Sequence, residues 1–405
     1  MVKERMNAKM KLSQRILGIN PSATLAVDAK AKELKQKGQN VISFGAGEPD
    51  FVSPPGVLAY ARQAIDRGET HYTPVSGIMA LRQEICRYYG ERFGLTVSPA
   101  QVIVGPGAKQ CLYETMAAII NPGDEVILLA PTWVSYIEQV HFLDGEVSIV
   151  DTEKEGFKLN EGMLRAAINE RTVAILLNSP ANPSGLVYDR AVLEMVGRLA
   201  LEFDLWIIWD EIYEQLVYQG TEHLNPLQIM PELAERTILV NGVSKTYAMT
   251  GWRIGYIIAP PSAAAKIGDF QSHLSSNPCS IAQWAALGAF KECAEDAARM
   301  KTAFQERRAL ICSLLSQMPG VTFPYPQGAF YVFANIRSHI GKSYLGTTIS
   351  DDVSFCSLLL EKALVALVPG SAFLAPGYVR ISYATSEELI REGMKRLHAF
   401  LEKLE

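Results

Sequence analysis

The chain is predicted to be an α/β protein, with a mainly parallel sheet flanked by helices and a second, smaller α+β domain, on three observations. Short apolar runs recur between residues 101 and 240 without polar alternation, as strands buried on both faces require. Longer segments with helical spacing separate them, which is the pattern of crossover connections between parallel strands. After Cys293 the order changes to one long helical pattern, then shorter strand-like runs and a last helix.

Ser22 is placed to cap a first helix through Leu25, Ala29, Ala31 and Leu34 to Lys37, with Gly38 as its stop. The runs Gln101–Val104, Glu125–Leu129, Val173–Leu177, Leu205–Trp209 and Thr237–Val240 are the expected strands of the sheet, and Tyr256–Ala259 is a further core segment. Met300, Phe304, Ile311 and Leu315 fall on one stripe of a long helix that stops before Pro319-Gly320 and bridges the domains. Phe330–Phe333, Leu364–Val368 and Val379–Tyr383 are expected strands of the smaller domain, and a helix from Ser386 ends the chain.

With 405 residues, 48% of them hydrophobic, the chain can build two substantial cores. The net charge of −5 is spread over both signs without a block of five like charges, so neither a nucleic-acid arm nor a polybasic membrane patch is expected, and the partners are small molecules. No apolar run has signal-peptide or membrane-spanning length, which points to a soluble cytoplasmic protein. The six cysteines are scattered and contain no C-x-x-C pair, so no disulfide framework and no metal site is expected.

Ligands of an open α/β sheet bind beyond the carboxyl ends of the strands. Gly105-Pro106-Gly107-Ala108-Lys109-Gln110 follows the first strand; it either cradles a phosphate at a helix N-terminus or is an ordinary turn, and it lacks the third glycine of the dinucleotide fingerprint. Trp133 after the second strand is a core residue or a stacking platform. Asn182 after the third is a turn former before proline or a ligand. Asp210 directly follows five bulky apolar residues, and such a carboxylate is a helix cap, an ion-pair member or a functional acid. Lys245 and Arg253 lie in the turn between the apolar runs Thr237–Val240 and Tyr256–Ala259. Each has an ordinary structural reading alone. Together they supply a lysine able to form a Schiff base, an acid, an aromatic platform and a cation, which is the set that pyridoxal phosphate needs.

The stretches Gly242-Val243-Ser244-Lys245, Ala248-Met249 and Gly251-Trp252-Arg253-Ile254-Gly255 resemble the cofactor-attachment motif of class I pyridoxal-phosphate-dependent aminotransferases. The likeness extends over nearly the whole chain, through Phe44–Phe51, Tyr72-Thr73-Pro74 with Gly77, Asn178–Pro183, Asp210–Tyr213 and Arg380–Tyr383, and is nearest to bacterial aspartate aminotransferases of the branch that includes prephenate-accepting enzymes. The resemblance implies a seven-stranded sheet in a large cofactor-binding domain at 48–292, and a small domain built from residues 1–47 and 293–405.

It also implies roles. Lys245 would hold pyridoxal 5'-phosphate and move the substrate proton, Asp210 would pair with the pyridine nitrogen, and Asn182 and Tyr213 would bond the phenolate oxygen. Trp133 would stack on the ring. Arg253, Gly107, Ala108 and Lys109 would hold the phosphate end, with Tyr72 donated by the neighbouring subunit of a homodimer with shared sites. Arg380 would fork the substrate α-carboxylate beside Gly47, and Lys109, Ser22 and Thr24 would face a side-chain carboxylate. Gly242 departs from relatives that carry a phosphate-binding serine there. The implied activity is ping-pong transamination between an amino acid, aspartate foremost, and 2-oxoglutarate. Aromatic or prephenate transamination, or a lyase, could use the same cofactor constellation; a non-catalytic ligand-sensing domain is the reading from another class.

Overall fold

A computed structural model describes residues 12–19 and 23–405. Ser22 and the side chain of Thr24 therefore lie outside the described residues. Seven strands form the main sheet: β1 (Val102–Gly105), β2 (Glu125–Ala130), β3 (Glu146–Asp151), β4 (Thr172–Asn178), β5 (Trp206–Asp210), β6 (Thr237–Gly242) and β7 (Gly255–Ile258). Their order is β1-β7-β6-β5-β4-β2-β3, and β7 alone runs against the others. One face packs under a core containing Val104, Leu177, Trp209 and Leu239, the other under Ile103, Leu128, Ile208 and Val240. Burial on both faces is why these runs lack alternation.

The expected strands of the main sheet are all present. β3 was not signalled, for a physical reason: it lies at one edge of the sheet, and only Val150 of its six residues is buried. An edge strand with mixed exposure gives neither a continuous apolar run nor a clean alternation.

The helices that matter for the site are α1 (Ala23–Gln36), α2 (Ala108–Ile119), α3 (Val134–Phe142), α4 (Pro261–Leu274), α5 (Ala294–Leu315) and α6 (Glu387–Leu401). On α5 the expected stripe Met300, Phe304, Ile311 and Leu315 is buried, in one core with Ile390, Leu397 and Phe400 of α6. A second sheet, β8 (Tyr331–Asn335), β9 (Val368–Pro369) and β10 (Tyr378–Ser382), is antiparallel in the order β9-β10-β8. The run Leu364–Val368 does not form one strand. Val365 and Ala366 pair in parallel with Ile42 and Ser43, whereas Val368 pairs with Arg380. This switch joins the N-terminal segment to the C-terminal part of the chain, and it places Arg380 beside the segment Gly45–Glu48.

Candidate active site

The register of the main sheet sets three strand ends side by side: Asn178 of β4 pairs with Asp210 of β5, and Asp210 with Val240 of β6. Beyond these ends lies a cleft of about 410 Å³. Gly47, Ala108, Lys109, Trp133, Asn182, Asp210, Tyr213, Lys245, Arg253 and Arg380 all line it, so residues scattered over 334 positions of sequence are brought to one place.

Asp210 is 3% exposed. Its Oδ2 accepts a hydrogen bond from the Tyr136 hydroxyl at 2.6 Å, and its Oδ1 accepts one from the Ile212 N–H at 3.1 Å. Burial raises its pKa to about 6, against the lowering effect of the Tyr136 bond. Lys245 is half-buried and donates to the Gly47 carbonyl. Burial brings its pKa down to about 8; Arg380 and Arg253 push the same way, while Glu48 and Asp210 oppose. The amine is thus neutral at a lower pH than an ordinary lysine.

Arg380 is 2% exposed, and its two bonds go to neutral oxygens, Asn182 Oδ1 at 3.0 Å and the Gly45 carbonyl at 2.7 Å. Its Nε has no partner, and its guanidinium lies 4.5 Å from the Tyr331 ring centroid. A buried cation whose acceptors are all neutral is suited to an incoming carboxylate. Tyr213 shares a 2.9 Å hydroxyl contact with Tyr331, and burial holds its phenol well above the ordinary range, in the neutral form.

The turn after β1 is built by close approach. Gly105 pairs with Gly255, and Gly255 with Gly242. A Cβ at Gly255 would run into the Ala108 N–H group, and one at Gly242 would stand 2.9 Å from the Gly255 Cα. There is no room for a serine at 242, and Ser244, which lines the cleft, is the nearby hydroxyl instead. Gly107 has φ of +90° and lies against the Arg253 guanidinium, where a Cβ would collide with Nη2. The N–H groups of Gln110 and Cys111 bond the Gly107 carbonyl, so Ala108 and Lys109 carry the first, unpaired N–H groups of α2 beside a guanidinium. That combination is an anion site in waiting.

Lys109 places its Nζ 4.8 Å from the centroid of Trp133, with its pKa lowered by burial and then by Arg253. Gly107 supports the cleft from behind without lining it. Tyr72 does not reach the cleft of its own chain and is 90% exposed. Sequence reasoning missed Tyr136, Tyr331, Glu48 and Lys32, which also line the cleft. Tyr136 had a signal: it lies one helical turn after Trp133, so a helix starting at Trp133 turns both toward the same strand ends. Lys32 and Glu48 had none, since each reads alone as a solvated charge.

The sequence matches the family profile "Aminotransferase class I and II" over residues 39–397. The aspartate aminotransferase of Geobacillus stearothermophilus is 44% identical over 394 residues, covering 97% of this chain and 99% of its own length. The aspartate/prephenate aminotransferase of Cereibacter sphaeroides is 47% identical over 393 residues, covering 96% and 98% respectively. Among solved structures, the aspartate aminotransferase of Rhizobium meliloti superposes with a TM-score of 0.93 at 40% identity, over 98% of this chain and 100% of that one. That of Thermus thermophilus with maleate gives 0.90 at 41% identity, over 97% and 100%.

Proposed function

The chain belongs to the class I and II aminotransferase family, and on that premise we propose that it moves an amino group between an L-amino acid, aspartate foremost, and 2-oxoglutarate, using pyridoxal 5'-phosphate held at Lys245. The observation that carries this reading is that one cleft gathers Lys245, Arg253, Arg380 and Asp210, and among the described residues none of the four is in an ion pair. Charges left unpaired in a partly desolvated cleft call for ligand charges of opposite sign. The fit to the cofactor rests on that donor set: a buried anion for a ring N–H, a guanidinium with a helix N-terminus for a phosphate, and an amine for an aldehyde.

Pyridoxal phosphate supplies an aldehyde and a ring that takes up the electrons left when the substrate Cα loses its proton. Asp210 would hold the ring nitrogen of that group in its protonated form. Arg380 would fork the substrate α-carboxylate and so hold Cα in the cleft that Lys245 also lines. Lys245 Nζ is the base that takes the Cα proton. Donor and acceptor pairs use the same cleft in turn, so the kinetics are ping-pong. A single-turnover absorbance experiment tests the reading: aspartate should convert the bound cofactor stoichiometrically to its amino form with release of one equivalent of keto acid. Catalytic product release without that conversion would make the protein a lyase.

The distal carboxylate of a dicarboxylic substrate is assigned to Lys109. Lys109→Ala should remove a charge-assisted contact worth roughly 1.5–3 kcal/mol, lowering kcat/KM for aspartate about one to two powers of ten. Alanine never makes the contact and should be little affected. An equal loss on both substrates would mean that Lys109 serves only to hold Trp133 by its cation–ring contact.

The exposed Tyr72 is assigned to the cofactor phosphate of a partner subunit, in a homodimer with shared sites. Mixing Tyr72→Phe with Lys245→Ala chains should give hybrids with one site free of both changes, and activity above that of either parent. A fully active monomer contradicts this.

A further inference from the structure

Beneath the turn 105–107 lies a buried carboxyl group that the reaction does not use. Glu114, on α2, is 0% exposed; its Oε1 accepts from Gln110 Nε2 at 2.8 Å, and its Oε2 has no partner. Gln271 of α4 is buried on the other side. Its Nε2 donates to the carbonyls of Val75 at 2.7 Å and Val104 at 3.0 Å, so turning the amide over would set its oxygen against two carbonyls. That fixes Gln271 Oε1 on the inner side, and it too is without a partner. Both orphaned oxygens stand beside Gly105: a Cβ built there would lie 3.1 Å from Gln271 Oε1 and 3.6 Å from Glu114 Oε2. Two buried acceptors beside one glycine, each without a hydrogen-bond donor, are an arrangement that folded proteins avoid.

We infer that Glu114 is a neutral carboxylic acid in the folded protein, its Oε2–H donating to Gln271 Oε1, and that it is a positioning residue for the phosphate-facing turn above it. The tie runs from α2 through Gln271 to the backbone at residues 75 and 104. Gln110 extends it by donating to the Ser275 hydroxyl at 2.6 Å. Only the link to phosphate rests on the function proposed above; the protonation of Glu114 does not.

The surroundings favour the neutral acid. Burial pushes the Glu114 carboxyl up to about 7, with only the Gln110 bond opposing. Among the described residues Glu114 makes no ion pair. The titratable neighbour is Cys111 on the same helix, whose Sγ stands 2.8 Å from the same built Cβ, and whose thiol is raised by its own burial and then by Glu114. Arg253 acts on Cys111 in the opposite sense. Gln271 and Ser275 from the α4 side are neutral. An ionised Glu114 would lose its donor to Gln271 and would set a negative charge two turns inside the helix whose N-terminus faces the phosphate.

The test compares Glu114→Gln with wild type, because the amide donates to Gln271 Oε1 at every pH. The folded pKa lies above the ordinary 4.5, so the stability Glu114 contributes is full below that value and lost as pH rises through about 7. Between pH 5.5 and 8.5 the Tm of Glu114→Gln holoenzyme should therefore gain roughly 2–4 °C on wild type. In protein carrying carboxyl-¹³C glutamate, the resonance missing from Glu114→Gln should titrate near 7. The Kd for pyridoxal phosphate should weaken with pH several-fold more in wild type than in the variant, a ratio that cancels the titration of the phosphate itself. A Tm gap independent of pH, with a resonance titrating near 4.5, overturns the inference and leaves a carboxylate bridged by water. Titration near 7 with a flat Kd ratio overturns the positioning role. Failure of the cofactor to bind either protein would overturn the function proposed above, and the resonance would still decide Glu114.

Discussion

Lys245→Ala is expected to end multiple turnover, with a loss of at least the ~10²–10⁴-fold that a positioned general base contributes, while the protein still folds. Lys245 makes no ion pair among the described residues, and its hydrogen bond is to the Gly47 carbonyl, so its removal breaks no ion pair. The linkage has a definite sign. A lysine whose pKa falls to about 8 on folding, from 10.5, opposes folding while it is protonated in both states. The cofactor-free variant should therefore have a Tm no lower than wild type at pH 7. Its advantage should fade as pH rises from 8 through 10.5, where the folded and unfolded lysines become neutral. Added small amines should restore part of the half-reaction rate to the variant, because the cleft and Arg380 remain in place. A variant that turns over normally would place the base elsewhere.

Asp210→Asn is expected to slow removal of the Cα proton on the order of 10²–10³-fold, the usual effect of deleting one preorganised electrostatic group, with little change in substrate affinity. The amide keeps the shape of the carboxylate: its one oxygen can still accept from the Ile212 N–H, and its NH2 can donate to the Tyr136 hydroxyl oxygen. What it loses is the negative charge that keeps a ring nitrogen protonated. Rapid mixing with Cα-deuterated aspartate should show a full primary isotope effect in the variant, since proton removal becomes the slow step. Rates near wild type would reduce Asp210 to a structural residue.

Much of this site was legible in the sequence because the fold writes it at the ends of strands. β5 ends on Asp210 after Trp206–Trp209, and β6 leads into Lys245 after Thr237–Val240. A charged residue placed there has nowhere to go but the cleft or a partner. What was not legible depends on contacts between distant parts of the chain. Tyr136 meets Asp210 across 74 positions, and Tyr331 meets Tyr213 across 118. In the sequence each tyrosine is indistinguishable from a core aromatic. Glu114 lies on the buried side of α2, and its relation to Gln271 appears only when α4 is folded against β1. The split of Leu364–Val368 between two sheets was hidden for a similar reason: an unbroken apolar run does not show where its pairing partner changes. Ser22 and the side chain of Thr24, expected near the substrate, lie outside the described residues.

The central claim is that Lys245 is the residue that carries the cofactor, and reductive trapping addresses it most directly. Purified protein is loaded with pyridoxal phosphate, reduced with borohydride, digested and mapped by mass spectrometry. The mass of the reduced adduct should fall stoichiometrically on the peptide containing Lys245, and treatment with aspartate before reduction should abolish it. A stoichiometric label on Lys109, Lys32 or any other lysine, or a label on Lys245 that aspartate does not displace, would contradict the account.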